Sequence, residues 1–328
     1  MIDELLIEAA AVVTMDPDDR ILAPGWIHVR DGRIAAVSAR PIDVAGARRL
    51  DGSGTVAVPG LVNAHTHLFQ TLIRGLFEGL PFAEWLRRIY HCGLGLDAED
   101  WRVSAELGAV ESLRSGVTTI LDHQFLHDGT AWSDAIIGGV RATGARVVLA
   151  RTSMDLGDLA PAESLEPVDV ALAALDDLLG RHRQAIADRT VRVLGGPNTP
   201  GVSASDGLCV AAARHAADRG IGLSMHVAES PVALESVARR YGVDGVVRWL
   251  DGLDALPVEP SRRTPSTSCP ERSRSSPSEE SPSPTIQSAT SSSAMGSPHY
   301  QSCWPRASSL RSGPTVPPAT AARTCSRS

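Results

Sequence analysis

From Val56 onward, short apolar runs alternate with longer amphipathic stretches, and this alternation constrains the fold more than any other feature. Short apolar runs are typical of strands, and apolar residues at helical spacing are typical of helices. The predicted strands are Val56–Val62, Val117–Asp122, Arg146–Ala150, Val191–Gly195 and Gly222–His226. The predicted helices are Ala98–Ser115, Pro167–Arg183, Asp206–Arg219 and Val232–Leu250. Repeated strand-then-helix units predict an α/β fold with a parallel sheet, open or closed into a barrel.

Composition divides the chain into three predicted regions. Residues 1–57 read as short strands broken by turns, which predicts a small β-domain, and residues 58–256 hold the strand-and-helix units. Residues 257–328 are rich in Ser, Pro and Arg and are net basic. Such a composition is typical of a disordered tail, because it offers little apolar surface to bury.

A shifted reading frame is a second interpretation of residues 257–328. We wrote plausible codons for three windows and offset the frame by one base. Ser261–Ser268 then reads AAHAVHL, Pro284–Pro298 reads HNPVSNLLLGDGIA, and Gly313–Arg327 reads TDGAASNSSQDMLE. All three resemble globular sequence, so we hypothesise a frameshift near residues 255–261. Resequencing the locus tests this, and an uninterrupted frame that encodes the tail would contradict it.

Charge and cysteine content limit the possible partners. The net charge of −7 argues against a nucleic-acid or membrane surface, and no apolar stretch approaches the length of a membrane span. The N-terminus lacks the basic start of a signal peptide, and the five cysteines show no CxxC spacing. We therefore expect a cytoplasmic protein whose partner is a small-molecule substrate, while a homo-oligomer stays possible.

Two histidines one residue apart follow the first apolar run, in the segment PGLVNAHTH. Residues i and i+2 of a strand project to the same face, so His65 and His67 would point together at the strand end. Neutral imidazole is a common metal ligand. The alternative is a pair of ordinary loop histidines, because His-x-His alone is a weak pattern.

A second pattern, His226 followed by Glu229, lies at the end of the last predicted strand. A hydrolytic metal site needs a nearby carboxylate that accepts a proton from water and passes it to the leaving group. His226 as ligand and Glu229 as proton carrier meet that need. The alternative is a buried strand histidine with a solvated loop glutamate.

These segments, together with QTLIRGL, LRSGVTTILDHQ and MHVAES, resemble the amidohydrolase superfamily, and specifically its aminohydrolase (deaminase) branch. The similarity is to cytosine, guanine, 8-oxoguanine and S-adenosylhomocysteine deaminases and to triazine hydrolases. It implies a distorted (β/α)8 barrel with a small β-sandwich built from both chain ends. In this chain we expect the barrel to stop after about five βα units, with residues 1–57 forming part of the sandwich.

The resemblance implies that His65, His67 and His226 are metal ligands and that Glu229 is the catalytic proton carrier. It also implies a histidine after strand six and an aspartate after strand eight. These occur only in the shifted frame, across Arg263 and Thr264 and across Pro314 and Thr315. The chain contains no lysine, so it cannot supply the carboxylated lysine of two-metal relatives. One divalent metal ion is therefore implied, zinc first, with iron as the alternative.

The implied reaction is hydrolysis of an exocyclic C–N bond on a purine, pyrimidine or triazine-like ring, with release of ammonia or an amine. The competing interpretation is a catalytically dead remnant of such an enzyme. Four residues are candidates for substrate binding, each with a structural role as the alternative: Gln70, Arg74, His123 and Gln124. Trp85 is expected to pack in the core.

Overall fold

The N-terminal strands form a mixed five-stranded sheet in the computed structural model of the protein, which describes residues 4–243, 245–256 and 287–288. The strands are β1 (Glu4–Val13), β2 (Ile21–Leu22), β3 (Gly25–Arg30), β4 (Arg33–Ser38) and β5 (Arg48–Ala57). Their order is β2-β1-β3-β4, and β5 pairs in parallel with β1. β1 is central because it pairs with β2, β3 and β5, and its side chains Leu6, Ala9 and Val12 are buried.

The next strands form a parallel sheet in the order β6-β7-β8-β9. They are β6 (Leu61–Thr66), β7 (Val117–Gln124), β8 (Arg146–Arg151) and β9 (Val191–Leu194). A parallel bridge between Gly195 and Leu223 joins β9 to the segment that enters β10 (Ser224–Met225). β11 (Gln287–Ser288) pairs in parallel with β10. The predicted α/β class with a parallel sheet is confirmed, and the carboxyl ends of β6 to β10 lie at one edge.

The connections between these strands are helical. The helices are α1 (Phe82–Gly95), α2 (Ala98–Arg114), α3 (Ala131–Ala142), α4 (Val168–Arg181), α5 (Arg183–Ala187), α6 (Asp206–Arg219), α7 (Pro231–Tyr241) and α8 (Val246–Gly252). Short 3-10 turns occupy Leu68–Ile73 and Ala162–Ser164. Asp97 and Asp100 form a capping box at the start of α2, which satisfies amide groups that lack helical partners. The predicted bounds of α6 are correct because Ser205 caps its start and Gly220 ends it in the left-handed region.

Two predicted elements are each divided into two in the structure. The predicted strand Val56–Val62 is divided, since its first two residues end β5 and its last two begin β6. The predicted helix Val232–Leu250 is two helices, because Gly242 adopts a φ of 65° and ends α7. The predicted tail, residues 257–328, lies outside the described residues apart from the two residues of β11, and so do the shifted-frame histidine and aspartate.

Stacked aromatic rings form the centre of the core between the parallel sheet and α1 to α3. The ring of Trp101 lies 4.5 Å from that of Trp132 and 4.7 Å from that of Phe69, and Trp101 is fully buried. Trp85 is partly buried and packs against this cluster. Within the described residues, no helix is long and apolar enough to cross a membrane.

Candidate metal centre

Four imidazole rings meet at the carboxyl ends of β6, β7 and β10. The ring centroid of His65 lies 4.8 Å from that of His67 and 5.2 Å from that of His226. His67 lies 5.3 Å from His226, and His123 lies 4.0 Å from His226. Residues that are 161 positions apart in the chain therefore converge because parallel strands deliver their ends to the same edge.

β7 holds His67 in place through two consecutive residues. The Nδ1–H of His67 donates to the carbonyl oxygen of His123 at 2.6 Å. The backbone N–H of Leu68 donates to Oδ1 of the buried Asp122, also at 2.6 Å. A neutral imidazole with its proton on Nδ1 keeps a lone pair on Nε2. His67 also lines the adjoining pocket, so a metal ligand is available there.

The segment after β10 turns sharply between His226 and Glu229. The N–H of His226 donates to the carbonyl of Asn198 at 2.8 Å, and its Nδ1 lies 3.1 Å from Asn198 Oδ1. Ala228 has a φ of 55°, a left-handed conformation that non-glycine residues rarely adopt. The hydroxyl of Ser230 then caps α7. This turn places His226 and Glu229 on the same pocket.

The ligand nitrogens of three histidines all lie within 4.8 Å of one another: His65, His123 and His226. His123 belongs to this set by position, but both of its ring nitrogens have protein partners. Its Nε2 lies 3.1 Å from Asn198 Oδ1 and 3.1 Å from Thr152 Oγ1, and its Nδ1 lies 3.0 Å from Ser224 Oγ. His67 lies outside this set of three, but within the described part of the chain only its Nδ1 is bonded, which leaves Nε2 for a ligand. Hydrogen-bond chemistry therefore favours His67 over His123 as a ligand.

Burial keeps these rings neutral. Desolvation lowers the pKa of His226 to about 4, with a smaller contribution from the nearby His65. Desolvation, reinforced by the neighbouring imidazoles, holds the pKa of His67 and of His123 well below the ordinary value. Desolvation also lowers the pKa of His65. Neutral imidazole is the form that binds a metal ion, so the donor set fits a divalent cation at neutral pH.

The carboxyl group of Glu229 lies in a half-buried position on the same pocket. Desolvation raises the pKa of Glu229 above its ordinary value. Burial, and then the charge of Glu229, raises the pKa of Tyr90. A carboxyl group with a raised pKa is suited to both accepting and returning a proton near neutral pH.

A partly open cavity adjoins the histidines. Its walls include four aromatic side chains: Phe82, Trp85, Tyr90 and Phe125. Gln70 also lines it, and among the described residues its buried Nε2 has no hydrogen-bond partner. Buried polar groups are nearly always paired, so this donor on the cavity wall is available to an acceptor on a ligand or to a water molecule. The cavity suits a flat ring with a hydrogen-bond acceptor.

The other three predicted substrate residues lie away from the cavity lining. His123 is buried behind it, and Gln124 is also buried, bonding Ser133 Oγ through Oε1 and the Leu126 carbonyl through Nε2. Arg74 is exposed and pairs with Glu111 at 2.7 Å. Their roles in substrate binding stay predictions, because none of the three side chains lines the cavity.

The sequence analysis missed Asn198 and the role of Asp122. Asn198 lies four residues after β9, on the same edge as the histidines, and lines the cavity. The signal that was available is position, because polar residues just beyond a parallel strand end are site candidates. Asp122 was noted only as a strand-end residue, and its bond to Leu68 is not visible in the sequence.

Comparison with known proteins decides the family. Residues 56–256 match the sequence profile of the amidohydrolase family. The chain belongs to the amidohydrolase family. Its solved relatives include atrazine chlorohydrolase from Arthrobacter aurescens complexed with zinc, with a TM-score of 0.68 and 28% identity over 76% of this chain and 58% of that chain. The likeness to this TIM-barrel family confirms the predicted fold class.

Two curated relatives of this amidohydrolase are named as deaminases. The 5-methylthioadenosine/S-adenosylhomocysteine deaminase of Symbiobacterium thermophilum is 32% identical over 73% of this chain and 52% of its own length. The 5'-deoxyadenosine deaminase of Methanosarcina mazei is 31% identical over the same shares, 73% and 52%. The chain thus spans about half the length of these relatives. The predicted resemblance to the deaminase branch is confirmed.

Proposed function

We propose that this amidohydrolase is a metal-dependent aminohydrolase that hydrolyses an exocyclic C–N bond of a heteroaromatic ring and releases ammonia or an amine. The observation that carries the proposal is the convergence of the His65, His67 and His226 rings beside a cavity that also contains Glu229. The position of His67, His226 and the half-buried Glu229 on one cavity supports a catalytic role over that of a structural histidine and a solvated glutamate. The deaminase names of the curated relatives support the reaction type.

His65, His67 and His226 would hold one divalent metal ion. Zinc is the first candidate because a solved relative is complexed with zinc, and iron is the alternative. When bound, the cation would supply Lewis-acid activation of water at neutral pH. The protein keeps the three rings neutral by burial and fixes His67 and His226 through their Nδ1 atoms.

Glu229 carries the proton in this proposal. Its carboxylate accepts a proton from the attacking water and then donates it to the leaving nitrogen, so that ammonia departs as a neutral molecule. The turn at Ala228 keeps this carboxyl group on the cavity side. Burial raises its pKa, which favours return of the proton.

The cavity supports a flat heteroaromatic substrate. Phe82, Trp85, Tyr90 and Phe125 supply apolar and stacking surface, which suits a planar ring. The unpaired Nε2 of Gln70 would donate to a ring nitrogen or to another acceptor on the substrate. Because two curated relatives act on adenosine-type compounds by name, a 6-aminopurine nucleoside is the first substrate to test, followed by pyrimidines and triazines.

A catalytically inactive remnant is the second candidate. Residues 257–328 contain no Asp, and their one histidine is His299, so this stretch offers no counterpart to the metal-binding aspartate that the resemblance implies. That aspartate would complete the ligand set, and its loss would weaken the activation of water.

One experiment separates the two candidates. The full chain is loaded with zinc or iron, its metal content is measured, and ammonia release is followed with 5'-deoxyadenosine, S-adenosylhomocysteine, guanine, cytosine and an aminotriazine. Metal-dependent release that disappears in Glu229→Gln supports the aminohydrolase. A folded, metal-loaded chain without release from any of these compounds supports the remnant.

A further inference from the structure

Asn198 lies where the ends of β8, β9 and β10 approach one another. Its backbone N–H donates to the Ser153 carbonyl at 2.9 Å, and its own carbonyl accepts from the His226 N–H at 2.8 Å. Gly196, two residues earlier, permits this approach: a Cβ there would lie 2.1 Å from the Ser224 carbonyl oxygen, and its φ is 148°. The backbone of Asn198 is therefore fixed on both sides.

The side-chain amide of Asn198 has an orientation that its neighbours determine. Its Nδ2 group lies 3.3 Å from Met154 Sδ and 3.3 Å from Ser203 Oγ, both of which can accept. Oδ1 therefore faces the other way, 3.1 Å from His226 Nδ1 and 3.1 Å from His123 Nε2. A carboxamide oxygen only accepts and has two lone pairs, so each of these ring nitrogens must donate a proton to it.

The bonds of His123 agree with this assignment. Thr152 Oγ1 donates to the Gln124 carbonyl at 2.9 Å, so it can only accept from His123 Nε2. The hydroxyl of Ser224 then donates to His123 Nδ1. Every site on the His123 ring is thus engaged within the protein.

For His226 the bond to the same oxygen leaves one ring nitrogen available to a metal ion. With its proton on Nδ1, the ring carries its lone pair on Nε2, and the ring lines the cavity. The alternative tautomer would place a proton on Nε2 and remove the ligand. The backbone carbonyl of Asn198 also lies 3.3 Å from this Nδ1, so Oδ1 is the nearer of two Asn198 oxygens that favour the Nδ1–H tautomer of His226. Oδ1 is the one that also accepts from His123.

We propose that Asn198 is a positioning residue. Its Oδ1 holds His226 in the Nδ1–H tautomer, which exposes Nε2 as a ligand. The same oxygen holds His123 in the Nε2–H tautomer, which excludes that ring from the ligand set. The part that concerns the metal ion rests on the proposed function. The part that concerns the tautomers does not. Outer partners of this kind tune metal affinity by fixing ring orientation and tautomer.

The first test needs no metal. Long-range ¹⁵N–¹H NMR of the metal-free full chain at pH 7.5 reports which nitrogen of each imidazole is protonated, and His226→Gln assigns the His226 signals. We expect Nδ1–H for His226 and Nε2–H for His123. Asn198→Ala removes the nearer acceptor of Nδ1 and leaves the backbone carbonyl at 3.3 Å, so we expect a mixture of the two His226 tautomers. In Asn198→Asp, which keeps an oxygen acceptor on the side chain, we expect Nδ1–H alone. Nε2–H at His226, or an unchanged tautomer in Asn198→Ala, would overturn the proposal.

The second test measures zinc affinity by competition with a chromophoric chelator. Asn198→Ala should weaken zinc binding about 10- to 100-fold, and Asn198→Asp should restore most of it. Ser203→Ala is the matched control, because it removes a partner of Nδ2 and leaves Oδ1 in place, so its affinity should equal that of the unaltered chain. Thermal unfolding by circular dichroism confirms that each variant is folded.

The outcomes distinguish the two proposals. Unchanged zinc affinity in a folded Asn198→Ala variant overturns the positioning role. If the unaltered chain binds no zinc while the tautomers respond to Asn198 as expected, the proposed function fails and the positioning of His226 stands.

Discussion

The ends of β6 and β7 lie side by side and carry similar polar side chains, yet their contacts differ. On β6, His65 has a half-buried ring, and His67 is bonded only through Nδ1 among the described residues. On β7, His123 is bonded through both nitrogens, and Gln124 is bonded through both side-chain polar atoms. The end of β6 offers lone pairs to a ligand. The end of β7 holds that segment in place through hydrogen bonds.

In the proposed ligand set, burial alone does not make a histidine a ligand. His123 is the more deeply buried of the two neighbours, and its ring lies closest to His226. The two residues differ in the second ring nitrogen, which is bonded within the protein in His123 and is available to a ligand in His67. Among the described residues, His67 and His226 each have Nδ1 bonded within the protein and Nε2 left for a ligand, whereas both ring nitrogens of His123 are bonded.

The largest effect should come from removing the ligand histidine His67, which follows β6. His67→Ala removes a free Nε2, so zinc affinity should fall by more than about 100-fold, beyond the range seen for outer partners, and ammonia release should fall to background. Chelator competition measures the affinity. Zinc binding that survives His67→Ala but disappears in His123→Ala would reverse the comparison.

Glu229→Gln should affect catalysis alone. Ammonia release should fall about 10²- to 10⁴-fold, because the amide cannot accept the proton of the attacking water, while zinc content stays unchanged. The active form of Glu229 is ionised, so the rate of the unaltered chain should rise with pH through the raised pKa of this group. A pH–rate profile checks both statements, and a rising limb that persists in Glu229→Gln would contradict the role.

His123→Ala tests the supporting role of β7. The change leaves Ser224 and Thr152 without their buried partner, so the free energy of unfolding should fall by about 1–3 kcal/mol. Zinc affinity should change by no more than about tenfold, since the ring is not a ligand. Urea unfolding of the metal-free chain and chelator competition supply the two numbers. An unchanged stability with lost zinc would make His123 a ligand.

The smallest effects should separate Gln70 from Arg74. Gln70→Leu removes the unpaired donor on the cavity wall, so KM should rise about tenfold, equivalent to ~1.4 kcal/mol of binding. Arg74→Ala breaks an exposed ion pair with Glu111 and should change stability by less than about 0.5 kcal/mol and KM not at all. Steady-state kinetics with the best substrate of the panel decides it, and a larger rise in KM for Arg74→Ala would bring that residue back to the substrate.

Local signals predicted much of the fold. Helix α6 has a cap at Ser205 and a left-handed glycine at Gly220, so its bounds follow from the sequence. β5 and β6 follow each other after only three residues, Val58 to Gly60, and one continuous apolar run hides the break. Helix α3 was not among the predicted helices, and its glycine pair at 138–139 lowers the local helix propensity. The backbone of Gly139 packs against Arg102 of α2 there, a tertiary contact that no local pattern shows.

The site was less predictable than the fold. Spacing predicted the His65 and His67 pair, and a second pattern at a strand end predicted His226 and Glu229; the resemblance then assigned their roles. Asn198 could not be found in this way, because its importance lies in one oxygen atom that faces two rings from distant strands. The substrate residues were the least predictable. Gln70 and Arg74 both follow β6 and were equal candidates, yet Gln70 lines the cavity and Arg74 is exposed.

The central claim is that one metal ion binds to His65, His67 and His226 and is not coordinated by His123. A crystal structure of the zinc-soaked full chain, with anomalous data collected at the zinc edge, tests it directly. The account predicts one anomalous peak about 2.0–2.1 Å from a nitrogen of each of the three ligands, with His123 still bonded to Asn198 and Ser224. A peak coordinated by His123 in place of His67 would contradict it.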